Sequence, residues 1–345
     1  MGILVIDKPV GPTSYDVVRR VQRALHRLLG FTRPKDLKIG HGGTLDPLAS
    51  GVLPVCVGEG TKIAAFLLDA DKEYEAEVRF GVQTDTLDAA GVVLAESPVH
   101  HLTEVIVLAA LAGFRGAIEQ VPPMYSALKH KGRPLYAYAR EGQDIARSSR
   151  SLTIHELVLQ AWTPPATARL RIRCSKGTYV RVLAADLGLV LGVGAHLAGL
   201  RRTASGPFNL AQAVTLEDLE RDALAGRLPV QVGLADALGH LFAVTPNEEL
   251  SLALWQGKRV SSEALGLADD AAGQLRVLRA DGTLLAIAEA LDGMVRSLRG
   301  FNHEVPGAGS AASPGTHPMS RPLSSESGSN AQLLGSLGLT SPSVL

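Results

Sequence analysis

Residues 74–80 read Tyr-Glu-Ala-Glu-Val-Arg-Phe. Ala76, Val78 and Phe80 fall on one side of this stretch, and Glu75, Glu77 and Arg79 on the other. A period of two marks a strand with one face buried and the other in water. The pattern returns at 168–174, where Leu170, Ile172 and Cys174 alternate with Arg169, Arg171 and Arg173. Such strands belong to one-sided, mainly antiparallel sheets; a doubly wound parallel sheet needs near-continuous apolar strands. The predicted class is mixed α+β.

Around these strands the chain alternates helix and strand signals. Residues 3–6 predict a buried strand, ended by Pro9, Gly11 and Pro12. Thr13 or Ser14 then caps a helix in which Val17, Val18, Val21, Leu25 and Leu28 share a face, opposite most of Arg19, Arg20, Arg23 and Arg27. Residues 52–57 predict a strand and 61–68, 102–111, 179–189 and 215–225 predict helices. From about residue 241, short strands at 274–278 and 284–288 flank the turn pair Asp281-Gly282, which suggests a small β-rich unit. Beyond Asn302 the chain turns to Gly, Ser, Pro and Ala, and residues 303–345 are expected to be a disordered tail. The expected division is 1–240, 241–302 and 303–345.

Composition narrows the function classes. The chain has 345 residues, 46% of them hydrophobic and 20% charged. No stretch reaches the eighteen or so uninterrupted apolar residues of a membrane span, and charges follow soon after the amino terminus, against a secretory signal. The expected location is cytoplasmic, with Cys56 and Cys174 as buried free thiols. The ten histidines form no metal-ligand pattern, so no metal is expected. Formal charge balances at 34 against 34, but its distribution does not. Residues 19–38 carry seven basic and one acidic side chain, and 129–181 carry eleven and three. Local field, not net charge, governs phosphate binding. Both runs fit a nucleic-acid surface and, equally, a set of solvated helix faces and loops.

Asp46 is the first candidate for chemistry. It follows the run Gly40-His41-Gly42-Gly43 and precedes Pro47, which biases it toward an extended backbone. Glycine allows a ligand to approach the backbone closely; a turn aspartate beside proline is the ordinary alternative. The glycines lack the GxGxxG spacing and the GK[ST] ending of a nucleotide loop. Tyr179 and Arg181 lie just past the Gly177 strand break. An arginine there can hold a carboxylate ionised, and a tyrosine can stack on a base; a core tyrosine and a solvent arginine fit the same pattern. Tyr74 and His41 carry the same two readings. Asp85 and Asp88 imitate a two-carboxylate site, but the surrounding TDTLDAAG reads as a surface turn.

Five blocks in order give a more specific reading: LVIDKPVGPTS (4–14), GHGGTLDPLASGVLPVCVGEGTK (40–62), KEYEAEVRFGVQTDTLDAAG (72–91), QVPPMYSALKHKGRPLYAYAREG (120–142) and CSKGTYVRVLAADLG (174–188). Together they resemble the bacterial TruB-type tRNA pseudouridine synthases, which modify uridine 55 of the T-loop. The part from about 241 to 302 resembles, more weakly, a PUA-like RNA-binding module. The resemblance implies a pseudouridine synthase catalytic fold and isomerisation of an everted uridine without cofactor. It implies Asp46 as the catalytic aspartate, Tyr74 as the tyrosine that packs on the base and removes a proton late, and Arg181 as the partner of the aspartate. It further implies His41, Tyr179, Lys8, Pro9, Leu200, Lys129 and Arg202 around the RNA. The implied partner is the tRNA T-stem-loop, with no membrane and no obligate protein partner, and a monomer is expected. Two departures stand out. Gly42 replaces the usual Thr or Ser, and the 26–38 stretch is longer than usual. Attack at C6 and action at C1′ or C2′ both remain open. So do two rival functions, an RNA chaperone without chemistry and a synthase acting on another RNA.

Overall fold

Ten strands realise the alternation in one sheet. In a computed structural model, which describes residues 2–31 and 33–302, they are β1 (Ile3–Lys8), β2 (Ile39–His41), β3 (Ala49–Val57), β4 (Lys72–Phe80), β5 (Gly116–Gln120), β6 (Arg150–Thr163), β7 (Thr167–Cys174), β8 (Ala195–Ser205), β9 (Phe208–Asn209) and β10 (Val214–Thr215). The order is β10-β1-β3-β8-β4-β7-β6-β5, with β9 on β8 and β2 on β3. Only β1–β10 and β3–β8 are parallel. The structure is thus α+β with a mainly antiparallel sheet, as the alternating strands predict.

The alternation also decides where the basic run points. Leu170 and Ile172 face the core opposite Ala76 and Tyr74. On the other face Arg169, Arg171 and Arg173 stand opposite Glu77, Glu75 and Glu73. Arg171 also pairs with Glu156, and Arg173 lies 3.6 Å from Asp71. Of the two readings of the 129–181 run, the solvated one therefore holds for its three strand arginines, which stand in a cross-strand charge ladder.

Among the described residues the helices of eight or more residues are α1 (Ser14–Leu29), α2 (Glu104–Leu111), α3 (Val180–Val190), α4 (Leu216–Leu224) and α5 (Glu248–Trp255). Thr13, not Ser14, caps α1, in a capping box with Asp16, and Gly30 closes it at φ 69°. Val17, Val21 and Leu25 of α1 and Leu183 and Leu187 of α3 join Leu4, Leu53, Tyr74 and Ala76 in one core. Both helices therefore lie on the same face of the sheet.

A second sheet holds β11 (Phe242–Val244), β12 (Val260–Ser261), β13 (Gly273–Leu278), β14 (Leu284–Leu291) and β15 (Met294–Gly300), in the order β11-β13-β14-β15-β12. The turn at Asp281-Gly282 joins β13 to β14, with Gly282 at φ 80°. Leu284, Ile287 and Phe301 pack with Ile3, Val5, Val52 and Cys56 from the opposite face of the first sheet. The described residues fall within one compact unit. Both cysteines are free and buried. No helix among the described residues is long and apolar enough to cross a membrane. The tail expected at 303–345 lies outside the described residues.

Candidate active site

The loop between β2 and β3 carries Asp46, and three buried polar side chains from different elements pin the backbone of the loop and of the start of β3. From α1, Ser14 Oγ donates to the Leu45 carbonyl (3.0 Å) and accepts from the Leu45 amide (2.8 Å). From β8, Arg202 donates to the carbonyls of Gly43 (3.2 Å), Thr44 (3.3 Å) and Val52 (2.7 Å). From β1, Lys8 Nζ donates to the carbonyls of Ala49 (2.6 Å) and Pro9 (2.8 Å). Lys8, Ser14 and Arg202 are at most 3% exposed, so these bonds satisfy groups that would be costly to bury alone. Gly51 allows the close approach of β8: at φ 101°, a Cβ there would stand 2.2 Å from the Arg202 carbonyl oxygen.

Arg181, in the first turn of α3, closes the site. Its Nε lies 2.9 Å from Asp46 Oδ2, an ion pair without a well-directed N–H bond. Its Nη1 lies 3.5 Å from Asp88 Oδ2. Nη1 and Nη2 donate to the carbonyls of Thr86 (3.1 Å) and Tyr125 (2.9 Å). The Asp46 side chain keeps 39% exposure against 5% for Arg181. The carboxylate is presented outward and the guanidinium backs it from inside. Burial pushes the Asp46 carboxyl above the usual aspartate range, Arg181 pulls it down, and Asp88 adds to the rise.

Asp88 corrects the surface-turn reading. Asp85 is exposed, but Asp88 is buried. Thr86 Oγ1 donates to Asp88 Oδ1 (2.6 Å) and Thr84 Oγ1 to the Asp88 carbonyl (2.7 Å). The Ala89 amide donates to the Leu197 carbonyl (3.0 Å), docking the turn on β8. The two threonines at i−4 and i−2 were the available signal, since short hydroxyl side chains order a turn internally. Gln120 was also missed. At the end of β5 its amide oxygen accepts from the Tyr179 amide (2.8 Å) and its nitrogen donates to the Tyr179 carbonyl (3.1 Å). It thereby fixes the start of α3, two residues before Arg181.

The structure gathers most of the other candidates around this pair. Tyr74 lies on β4 facing the same core and is 8% exposed; burial raises its phenol, opposed by the Arg202 guanidinium. Burial and then Arg202 lower the imidazole of His41, half-buried on β2. Tyr179 precedes α3, with its phenol raised by burial. Burial brings the Lys8 ammonium down to about 8, against the pull of Asp46. Pro9 and Leu200 are half-buried, Leu200 paired with Ala49 and Ala76. Lys129 is exposed, in a two-residue strand at 129–130. Lys8 and Arg202 are thus inside the protein, Arg202 committed to the loop backbone and β3 and Lys8 to the first residue of β3 and to Pro9.

Gly42 has a steric reason. A Cβ there would come within 2.9 Å of Leu67 Cβ and 3.0 Å of its Cδ1. Leu67, 2% exposed, fills the space a hydroxyl-bearing side chain would take. Gly42→Ser is therefore expected to destabilise the protein by about 1–3 kcal/mol through overpacking, read by denaturant melts. Leu67→Ala should be less harmful when combined with Gly42→Ser than alone. An additive double-mutant cycle would sink this account.

The comparisons with known proteins agree with this geometry. Residues 27–180 match the TruB family pseudouridylate synthase N-terminal domain, and 181–228 match the tRNA pseudouridylate synthase B C-terminal domain. The chain is 46% identical over 288 residues to a tRNA pseudouridine synthase B of Aromatoleum aromaticum, covering 84% of this chain and 88% of that one. It is 47% identical over 297 residues to the enzyme of that name from Burkholderia pseudomallei, covering 85% and 94%. Among solved structures, a chain of an H/ACA RNP bound to a substrate RNA containing 2'-deoxyuridine has a TM-score of 0.64 at 24% identity, covering 88% of this chain and 85% of that chain. A chain of a Cbf5-Nop10-Gar1 complex has 0.61 at 27%, covering 84% and 78%. Two consecutive family domains and relatives near one-half identity along most of the length place this chain in the TruB family of pseudouridine synthases.

Proposed function

We propose that this protein isomerises uridine 55 in the T-loop of tRNA to pseudouridine, with Asp46 as the catalytic carboxylate. The observation that carries the residue assignment is the Asp46–Arg181 pair: an outward-facing carboxylate held 2.9 Å from a buried guanidinium. The uridine must leave the stack to reach it, at a cost of a few kcal/mol that phosphate contacts offset. The N1–C1′ bond breaks, uracil turns, and a C5–C1′ bond forms. The proton on C5 leaves and N1 gains one, so the reaction is an isomerisation. Both routes open to the carboxylate, attack at C6 and action at C1′ or C2′, require it ionised, and Arg181 favours that state.

Tyr74 is proposed to stack on the base and take the C5 proton. Taking the proton requires the phenolate form, which burial disfavours and the Arg202 guanidinium favours; the acidity of the C5-bearing intermediate drives the transfer, which returns Tyr74 to the neutral phenol. Tyr74→Phe should keep RNA affinity within about two-fold, since the stacking face remains, and slow turnover by about 10²–10⁴-fold, the usual worth of a general base. Wild-type turnover in that variant would remove Tyr74 from the role.

The proposed layout is a catalytic part at 1–240 and an RNA-binding, PUA-like part at 241–302, in a cytoplasmic protein. The test is tritium release from tRNA transcribed with 5-tritiated uridine, followed by mapping of the modified position. Release with pseudouridine at 55 is expected; no release at stoichiometric enzyme would overturn the function. An RNA chaperone would bind the same transcript and release nothing.

A further inference from the structure

We propose that the outward row of α1, Tyr15-Arg19-Arg23-Arg27, is a phosphate track that holds the substrate RNA outside the uridine pocket; this rests on the function proposed above. The row follows from helical spacing. Val17, Val18, Val21 and Leu25 are buried against the sheet, while Tyr15, Arg19, Arg23 and Arg27 are exposed on the opposite side. Residues four apart stand about 6 Å apart along a helix axis, close to the spacing of successive phosphates along an RNA strand. The row spans about 18 Å from Tyr15 to Arg27.

Its charges are left for an outside partner. Arg20, on the flank toward α4, takes the neighbouring acids: it is bidentate on Glu220 (2.8 and 2.9 Å) and reaches Glu217 (3.3 Å). Asp16 is bound to Thr13 in the capping box. Arg23 and Arg27 lie in the field of Glu220, whose carboxylate Arg20 already occupies. Arg19, Arg23 and Arg27 make no ion pair among the described residues, and Arg19 lies over the Tyr15 ring at 6.0 Å. The cross-strand arginines of β7 contrast with them, since glutamates face each one.

Position gives the row its partner. The reciprocal bonds of Ser14 with Leu45 tie the start of α1 to the residue before Asp46. Tyr15, 66% exposed, therefore stands at the catalytic end. The arginines lead away from it along the face of the sheet that also carries Tyr74 and α3. An RNA strand whose uridine sits at Asp46 has its phosphates available to this row. Guanidinium groups in a line suit a sugar-phosphate backbone, and an exposed tyrosine at the near end suits a sugar or a splayed base.

The test uses the full chain with all three arginines changed to glutamine, or all three to lysine. Binding of unmodified tRNA transcript is measured from low to high salt, with single-turnover tritium release at saturating enzyme. For the glutamine variant, Kd should rise on the order of 10-fold and the salt slope should shrink by about one per lost phosphate contact. Its single-turnover rate should match wild type. The lysine variant should keep the wild-type slope, because a phosphate is held by charge. An unchanged Kd and slope in the glutamine variant would overturn the track. So would equal weakening by lysine and glutamine, which would point to packing. Wild-type enzyme that binds tRNA but releases no tritium would instead overturn the proposed function and leave the binding result standing.

Discussion

Asp46→Asn is expected to abolish turnover, by at least about 10⁴-fold, the scale on which a sole reacting group is lost, while tRNA binding stays within a few-fold of wild type. The substitution keeps the size and polarity of the side chain and removes only its ionisation. The loop does not depend on that charge. Its backbone and the start of β3 hang on Ser14, Lys8 and Arg202, none of which bonds the Asp46 carboxylate. The fold should even gain slightly. A carboxyl raised by burial contributes stability that is present below its unfolded pKa and lost as pH rises through the raised folded value. At neutral pH the charge is therefore a burden on the folded state, and asparagine relieves it. The melting temperature of Asp46→Asn should equal or exceed that of wild type. In wild type the same raised pKa makes activity fall on the acid side at a pH above the ordinary aspartate range. Tritium release by a clean Asp46→Asn preparation, or a variant that no longer binds tRNA, would remove Asp46 from the chemistry.

The sequence made legible what depends on periodicity and on local order. The strands at 72–80 and 167–174 appear where alternation places them, because each has one dry and one wet face. The cap at Thr13 and the turn at Asp281-Gly282 are local signals and hold. The central strand β8 was not legible. Its inner face includes Arg202, its register shifts at Leu197/Gly199 and Arg202/Ala204, and so its pattern has no period of two. An arginine is admitted there only because three carbonyls from the β2–β3 loop and β3 receive it. Asp46, Tyr74 and Arg181 could be picked out as residues but not brought together. The threonines beside Asp88 signal an ordered turn, but its pairing with Arg181, like that of Gln120 with Tyr179, needed the fold itself, since these partners lie 93 and 59 positions away along the chain. Charge runs are ambiguous for the same reason: only the fold shows that β7 carries its arginines opposite glutamates, while on α1 Arg20 pairs with Glu220 and Glu217 and Arg19, Arg23 and Arg27 make no ion pair among the described residues.

Arg181→Met should cost activity, stability and the position of the acid limb together, and that conjunction separates a charge partner from a packing residue. Arg181 is 4% exposed and is the only cation that ion-pairs with Asp46 and Asp88 among the described residues. A methionine fills much the same space but leaves two carboxylates facing each other without compensation. Breaking a buried pair costs about 3–5 kcal/mol; because the Asp46 side chain keeps 39% exposure, the lower end is expected. The Thr86 and Tyr125 carbonyls also lose their donors, adding to the loss of stability. Turnover near neutral pH should fall by about 10²–10³-fold, the scale for removing one preorganised electrostatic partner. Without the guanidinium the Asp46 pKa rises further, so the acid limb moves to higher pH and activity recovers as pH is raised. Arg181→Lys should fall between: it keeps a charge, but one ammonium cannot span two carboxylates and two carbonyls as the planar fork does. Adding Asp88→Asn to Arg181→Met removes the like charge beside Asp46, and should recover stability and move the acid limb back toward wild type. If Arg181→Met melts lower but keeps the wild-type pH profile, the arginine holds the fold and not the ionisation of Asp46.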